Sequence, residues 1–247
     1  MKRIMMAGLM LFTFACAPHI QGLRSSEPVA QSPAAPEIPQ ALKDLLNSLD
    51  EPKPALKLEC KEPLLSCVLH YRLSDEISSE STDKAIEWIN AANEAGATDI
   101  VFEMNSGGGS VNAGFELARV IEESRAPVSM VVDWEAASMA AFLLESAQHR
   151  YITRRGMLMF HEPALSGTMS GRPNEWQAIA DMMKAMRHAI AQHCSARMNV
   201  DISYYEKRTE GGQMWWLTAD EAKEFGAVDQ VVDSVAQVIR ALKQGSN

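Results

Sequence analysis

Positive charge is scarce in this sequence. Its 247 residues carry 23 lysines and arginines against 32 aspartates and glutamates, a formal net charge of −9. A chain this acidic is repelled by phosphate backbones, which excludes nucleic acid as a partner class. Metal-ligand spacing is missing too: the four cysteines and six histidines form no pattern of paired ligands, so neither a metal nor another cofactor is expected. Nor is the N-terminal apolar run, Ile4 to Ala15, long enough for a membrane span, which takes about 20 residues.

What that run does fit is an export signal. Met1-Lys2-Arg3 supplies a basic start, and Cys16 follows Thr13-Phe14-Ala15 where the apolar stretch ends. The arrangement predicts a signal peptide over residues 1–16. A cysteine placed after a small residue at that point resembles a bacterial lipoprotein box, with Thr13 standing where the motif favours leucine. The resemblance implies lipidation of Cys16 and a protein anchored on the periplasmic side of a bacterial membrane. The plainer reading is cleavage near Ala15 or Ala17 that leaves a soluble periplasmic protein. Residues 17–54 hold seven of the eleven prolines, mixed with Ser, Gln and Ala, and read as an extended, solvated tether. Leu42, Leu45, Leu46 and Leu49 recur at helical spacing within it, which predicts one short amphipathic helix.

Residues 55–247 are expected to form one α/β domain, since apolar residues make up 47% of the chain, enough for one sizeable core. Cys60 and Cys67 flank a segment containing Pro63 that reads as a hairpin tip, and in an exported protein they are a candidate disulfide. Cys194 is left as a buried apolar residue. Apolar runs and helical patterns then alternate. A strand over Cys67 to Leu73 precedes a helix that Thr82 is expected to cap, with Ala85, Ile86, Ile89 and Ala92 inward and Gly96 as its stop. Strand Ile100 to Met104 precedes a helix capped by Ser110, and strand Val128 to Val132 precedes another helix. Such alternation predicts a parallel sheet with right-handed crossovers and a site at the carboxyl ends of its strands.

Three pieces stand at those strand ends: Asn105-Ser106-Gly107-Gly108-Gly109-Ser110, Glu135-Ala136-Ala137-Ser138-Met139-Ala140, and Met157-Leu158-Met159-Phe160-His161-Glu162-Pro163. Together they hold the parts of a serine hydrolase. Serine is a weak nucleophile until a base takes its proton, and the attacked carbonyl needs donors where negative charge develops. Ser138 is the candidate nucleophile, placed where the free N–H groups of a helix N-terminus, Met139 first, face the reacting centre. The glycines let a second backbone approach with no Cβ in the way. His161 is the candidate base.

In this order the pieces resemble the proteolytic subunit of the Clp protease, a serine peptidase of the crotonase-like superfamily. That family carries Asn-Ser-Pro-Gly-Gly, then Ala-Ala-Ser-Met, then a Met-Ile-His-Gln-Pro-like segment, and the likeness covers roughly residues 65–233. It implies an α/β fold of stacked ββα units with a protruding handle helix, here opened by Pro173 and reaching about Met198 beyond a small polar segment, Ser166 to Gly171. It further implies Ser138 as nucleophile, His161 as base, an oxyanion hole of Gly109 and Met139 with Gly108 alongside, a peptide or unfolded-protein substrate, and a homo-oligomer. Trp215 and Trp216 are expected to cover the core beneath the site. One part does not carry over: Met214 stands where the family has the triad aspartate, and methionine accepts no useful hydrogen bond from an imidazole. Glu210, four residues earlier, is the candidate replacement. An exported member has no ATP at hand, so ATP-independent cleavage without a Clp-type ATPase is expected. Two other readings stay open: a Ser–Lys peptidase of the signal peptide peptidase kind, using Lys184, and a catalytically inactive peptide-binding scaffold.

Overall fold

The computed structural model describes residues 39–40, 56–60, 66–165 and 170–245. The chain divides after Pro52 into two units, and the second, from Lys53 onward, holds the sheet and its helices. The signal segment with Cys16, the leucine helix of the tether and Ser166 to Met169 lie outside the described residues. Among the described residues no helix is long and apolar enough to cross a membrane.

The fold is mixed α/β around a parallel sheet. Five strands run in the order β1 (Val68–Leu73), β2 (Asp99–Ser106), β3 (Val128–Ala137), β4 (His149–Thr153) and β7 (Gln230–Val232). Every pairing among them is parallel. Parallel neighbours need crossover connections, and α1 (Ser79–Glu94), α2 (Val111–Glu122) and α3 (Met139–Ser146) supply them. β3 is long enough to change neighbours. Its first half pairs with β4 from Ser129 to Val132, and its last residues, Glu135 to Ala137, pair with β5 (Met157–Phe160). β5 then pairs antiparallel with β6 (Trp215–Thr218). The sheet therefore forks, and the fork carries the candidate residues away from β4. The remaining helices are α4 (Pro173–Arg197), α5 (Ile202–Thr209), α6 (Ala219–Glu224) and α7 (Val235–Lys243).

The core lies between the sheet and these helices. All eight residues of α3 are buried, the first six of them apolar and the last two Glu145 and Ser146, as expected of a helix enclosed by the core. Beneath the fork, Phe160, Trp215, Tyr205 and Phe225 form an aromatic cluster with ring centroids 5.2–6.0 Å apart. Burial of each such ring stabilises the fold by about 1.5–3 kcal/mol. Only the first of the paired tryptophans belongs to it. Trp215 is 2% exposed and Trp216 is 42% exposed, because successive strand residues point to opposite faces. A second correction concerns α1. Its cap is Ser78, in a reciprocal capping box with Ser81, while Thr82 sits inside the first turn and donates to the Ser78 carbonyl at 2.9 Å. Ser110 caps α2 as expected, and Gly96, with φ +78°, follows α1.

Candidate active site

Ser138 sits between the last residue of β3 and the first of α3. It is the one non-glycine residue with positive φ among the described residues, at φ 56° and ψ −121°. An L-residue held there is strained by about 1–3 kcal/mol, and the fold over-determines it from both sides. Its N–H donates to the Met159 carbonyl at 2.7 Å, and its own carbonyl accepts from Phe142 N–H at 3.2 Å. The sharp turn leaves the hydroxyl projecting from the end of the strand. Because Ala137 is in register with Met159 on β5, the residue just past the end of β5 comes beside it. That residue is His161, whose Nε2 lies 2.7 Å from Ser138 Oγ.

The glycine turn closes in from the other side. A Cβ on Gly108, whose φ is +94°, would stand 2.6 Å from the Ala137 carbonyl, 2.8 Å from Ser138 Cβ and 2.9 Å from Met139 N. Only glycine allows that approach. Gly108 N–H is itself engaged by Ser106 Oγ at 3.2 Å, and Ser106 donates to the Asp75 carbonyl at 2.7 Å. The Gly108 N–H is thus occupied, which leaves Gly109 as the candidate donor of the turn. Gly109 bridges Ile77 in parallel fashion, with Ile77 N–H on the Gly108 carbonyl and Ser110 N–H on the Ile77 carbonyl. That pattern turns the N–H of Gly109 itself away from the bridge. Neither Gly109 N–H nor Met139 N–H has a hydrogen-bond partner among the described residues. A small pocket, about 20 Å³, adjoins the pair and is lined mainly by apolar side chains, including Val111, Met139, Phe142, Phe160 and Ile190.

Among the described residues no carboxylate hydrogen-bonds to His161, whose one side-chain contact of that kind is with Ser138. The last antiparallel pair is Phe160 with Trp215; Met214, one residue before β6 as His161 is one residue after β5, is 63% exposed. Glu210 is exposed at the start of a single 3₁₀ turn, Glu210–Gly212, and among the described residues it makes no hydrogen bond to His161. Lys184 is likewise exposed on α4 and makes no bond to Ser138. A different carboxylate stands close by. Glu162, next in sequence to His161, accepts from Gly212 N–H at 3.0 Å through one oxygen and from Arg187 of α4 at 3.3 Å through the other. It ties the loop that carries Met214 and the helix α4 to the end of β5. Sequence reasoning misses it. The signal is present, since glutamate replaces the glutamine of the Met-Ile-His-Gln-Pro-like segment.

Among the described residues no group of His, Cys, Asp or Glu side chains is arranged to hold a metal ion. Cys60 and Cys67 are joined by a disulfide, with Cα atoms 5.6 Å apart. Cys194 is a free, buried thiol. Burial pushes its pKa far above the usual thiol range, so it stays protonated and unreactive.

A model of the Clp protease family matches residues 65–235, well over half of the chain. Among curated relatives, the ATP-dependent Clp protease proteolytic subunit 1 of Protochlamydia amoebophila (strain UWE25) is 29% identical over 196 residues, which is 76% of this chain and 94% of the relative. The protein of the same description from Chlamydia pneumoniae is 32% identical over 166 residues, 65% of this chain and 85% of the relative.

Proposed function

This chain belongs to the Clp protease family of serine endopeptidases, and we propose that it cuts peptides or unfolded polypeptides through Ser138 and His161. The observation that carries this reading is the 2.7 Å contact between Ser138 Oγ and His161 Nε2 beside two unengaged backbone donors. In the reaction, His161 Nε2 takes the hydroxyl proton as Oγ attacks the substrate carbonyl carbon. The N–H groups of Gly109 and Met139 donate to the oxygen as it becomes negative. His161 then returns the proton to the leaving amine, and a water activated by the same nitrogen releases the acyl group. The backbone fixes both donors before substrate arrives, so little reorganisation remains for the reacting step.

The base works as a dyad member, with Met214 in the acid's place. Loss of the orienting acid lowers turnover by about 10⁴-fold in triads and leaves residual catalysis, so slow cleavage is the expected behaviour. A peptide-binding scaffold without turnover is the reading that Met214 favours. The two are separated by a fluorophosphonate probe and casein hydrolysis. Wild type labels at Ser138 and cleaves, Ser138→Ala does neither, and Lys184→Ala does both; a wild type that resists the probe would leave the scaffold reading.

Export is part of the proposal. It rests on the basic and apolar start ahead of Cys16 and agrees with a disulfide, which persists in oxidising compartments. An enzyme placed there works without ATP and without a Clp-type ATPase. As a homo-oligomer it would use α4, a 25-residue helix whose first four turns are largely exposed, as the contact between copies. Radiolabelled palmitate incorporated in a bacterial host by wild type but not by Cys16→Ser tests the anchor. A stable cytoplasmic complex with a Clp-type ATPase would overturn the location.

A further inference from the structure

The β5–β6 ribbon has two unlike faces. Leu158, Phe160, Trp215 and Leu217 are 0–2% exposed and point into the core. The opposite face carries Met157 at 38% and Trp216 at 42% exposure, with Met159, in register with Trp216, buried at 8%. Strand alternation brings His161 onto this same face, with Met214 across from it. An apolar surface thus lies exposed at Met157, Trp216 and Met214, with Met159 covered among them, and on the β6 side it leads toward the end of the ribbon that carries His161. β6 pairs with β5 alone among the described residues, so its outer edge offers N–H and carbonyl groups to an extended chain.

We infer that this face is the landing surface for apolar stretches of the substrate polypeptide, and that it makes the enzyme selective for unfolded chains. The inference rests on the peptidase reading for its substrate class. Two features point to a substrate rather than a permanent partner. First, the face is continuous with the reacting pair, and a protein seated on it for good would close the approach to His161. Second, methionine is unbranched and polarisable and adapts to varied apolar partners, and an exposed indole adds a rigid stacking surface at small entropic cost. That combination suits a succession of unrelated sequences. Folded proteins bury the side chains this face would take, so they pass it by.

The test uses the full chain carrying Ser138→Ala, so that binding is read without turnover. A fluorescent peptide rich in Leu and Phe and a counterpart with serines at those positions are titrated by anisotropy. Adding Met157→Gln with Trp216→Gln raises the Kd of the apolar peptide by about tenfold and moves that of the serine peptide by less than twofold, while Trp216→Phe restores most of the affinity. Equal Kd values for the apolar peptide with and without the two glutamines would overturn the inference. So would a fall in oligomeric mass by light scattering with peptide binding unchanged, since the face would then belong to a second copy. Selective peptide binding by a protein whose Ser138 never labels would sink the peptidase reading and leave this surface standing.

Discussion

The two sides of the His161 ring are built on different principles. On the side of Ser138 everything is held by backbone: the residue at positive φ, the parallel register of β3 with β5, and a glycine turn pressed to within van der Waals contact. On the far side the groups are side chains of a loop, and among the described residues none of them is an acid bonded to the ring. Met214 is exposed just before β6, and Glu162, next to His161, grips the loop through Gly212 N–H. On the proposed mechanism, the contrast teaches that attack geometry and charge stabilisation are intrinsic to the chain path, whereas orientation of the base depends on individual side chains that a few substitutions remove or restore.

The sharpest way to break the backbone side is Gly108→Ala. The new methyl would meet the Ala137 carbonyl at 2.6 Å and Met139 N at 2.9 Å, at a φ of +94° that alanine resists. Moving either backbone displaces an oxyanion donor, which costs about 10²–10³ in turnover. Steady-state cleavage and the rate of fluorophosphonate labelling should both fall by that order, with Tm lowered as well. The other side should respond in the opposite sense. Met214→Asp puts a carboxylate across from the imidazole at an exposed position, so its folding cost is small. We expect kcat to rise about tenfold, well short of the 10⁴ that a perfectly seated acid contributes. An unchanged kcat would mean that the loop holds residue 214 out of reach.

Glu162 sharpens the comparison further. If it positions the base by tying Gly212 and Arg187 to the end of β5, then Glu162→Ala lowers kcat about threefold to tenfold and leaves KM within twofold. Glu162→Gln, which keeps an acceptor for Gly212 N–H, recovers part of the loss. A purely structural tie would move Tm in both variants without splitting kcat from KM.

How far the sequence can be read follows the same division. The placement of Ser138 beside His161 is legible because each sits at a strand end inside a short contiguous piece, and the family match over residues 65–235 agrees with the α/β reading. Glu162 escapes because its meaning lies in partners 25 and 50 positions away. Trp216 misleads, since two adjacent tryptophans look alike until the strand's alternation assigns one to each face. Thr82 reads as the cap in place of Ser78 for a local reason: Ser78, Ser79, Ser81 and Thr82 are all able to cap, and only backbone geometry separates them. Helix α5 offers only eight residues, most of them polar or tyrosine, too little to declare itself.

The smallest effect lies away from the reacting groups, in a buried cluster of which residue spacing carries no hint. Glu145 on α3 is fully buried, with Oε2 2.7 Å from Arg150 Nη1 and with Oε1 lacking a partner among the described residues. Arg150 divides its donors between Glu145, Asp229 at 2.6 Å and the carbonyls of Arg197 and Gly226. Burial pushes the Glu145 carboxyl up to about 8 against the pull of Arg150. A carboxyl raised in the folded state keeps its proton where the unfolded chain has lost it. Folding therefore takes up a proton between the ordinary carboxylate range and about pH 8, and stability falls as pH rises through that window. Tm measured from pH 5 to pH 8 should decline for wild type. Glu145→Gln, neutral throughout, should flatten that decline while Arg150 keeps Asp229, and an unaltered slope would place the linkage on another group.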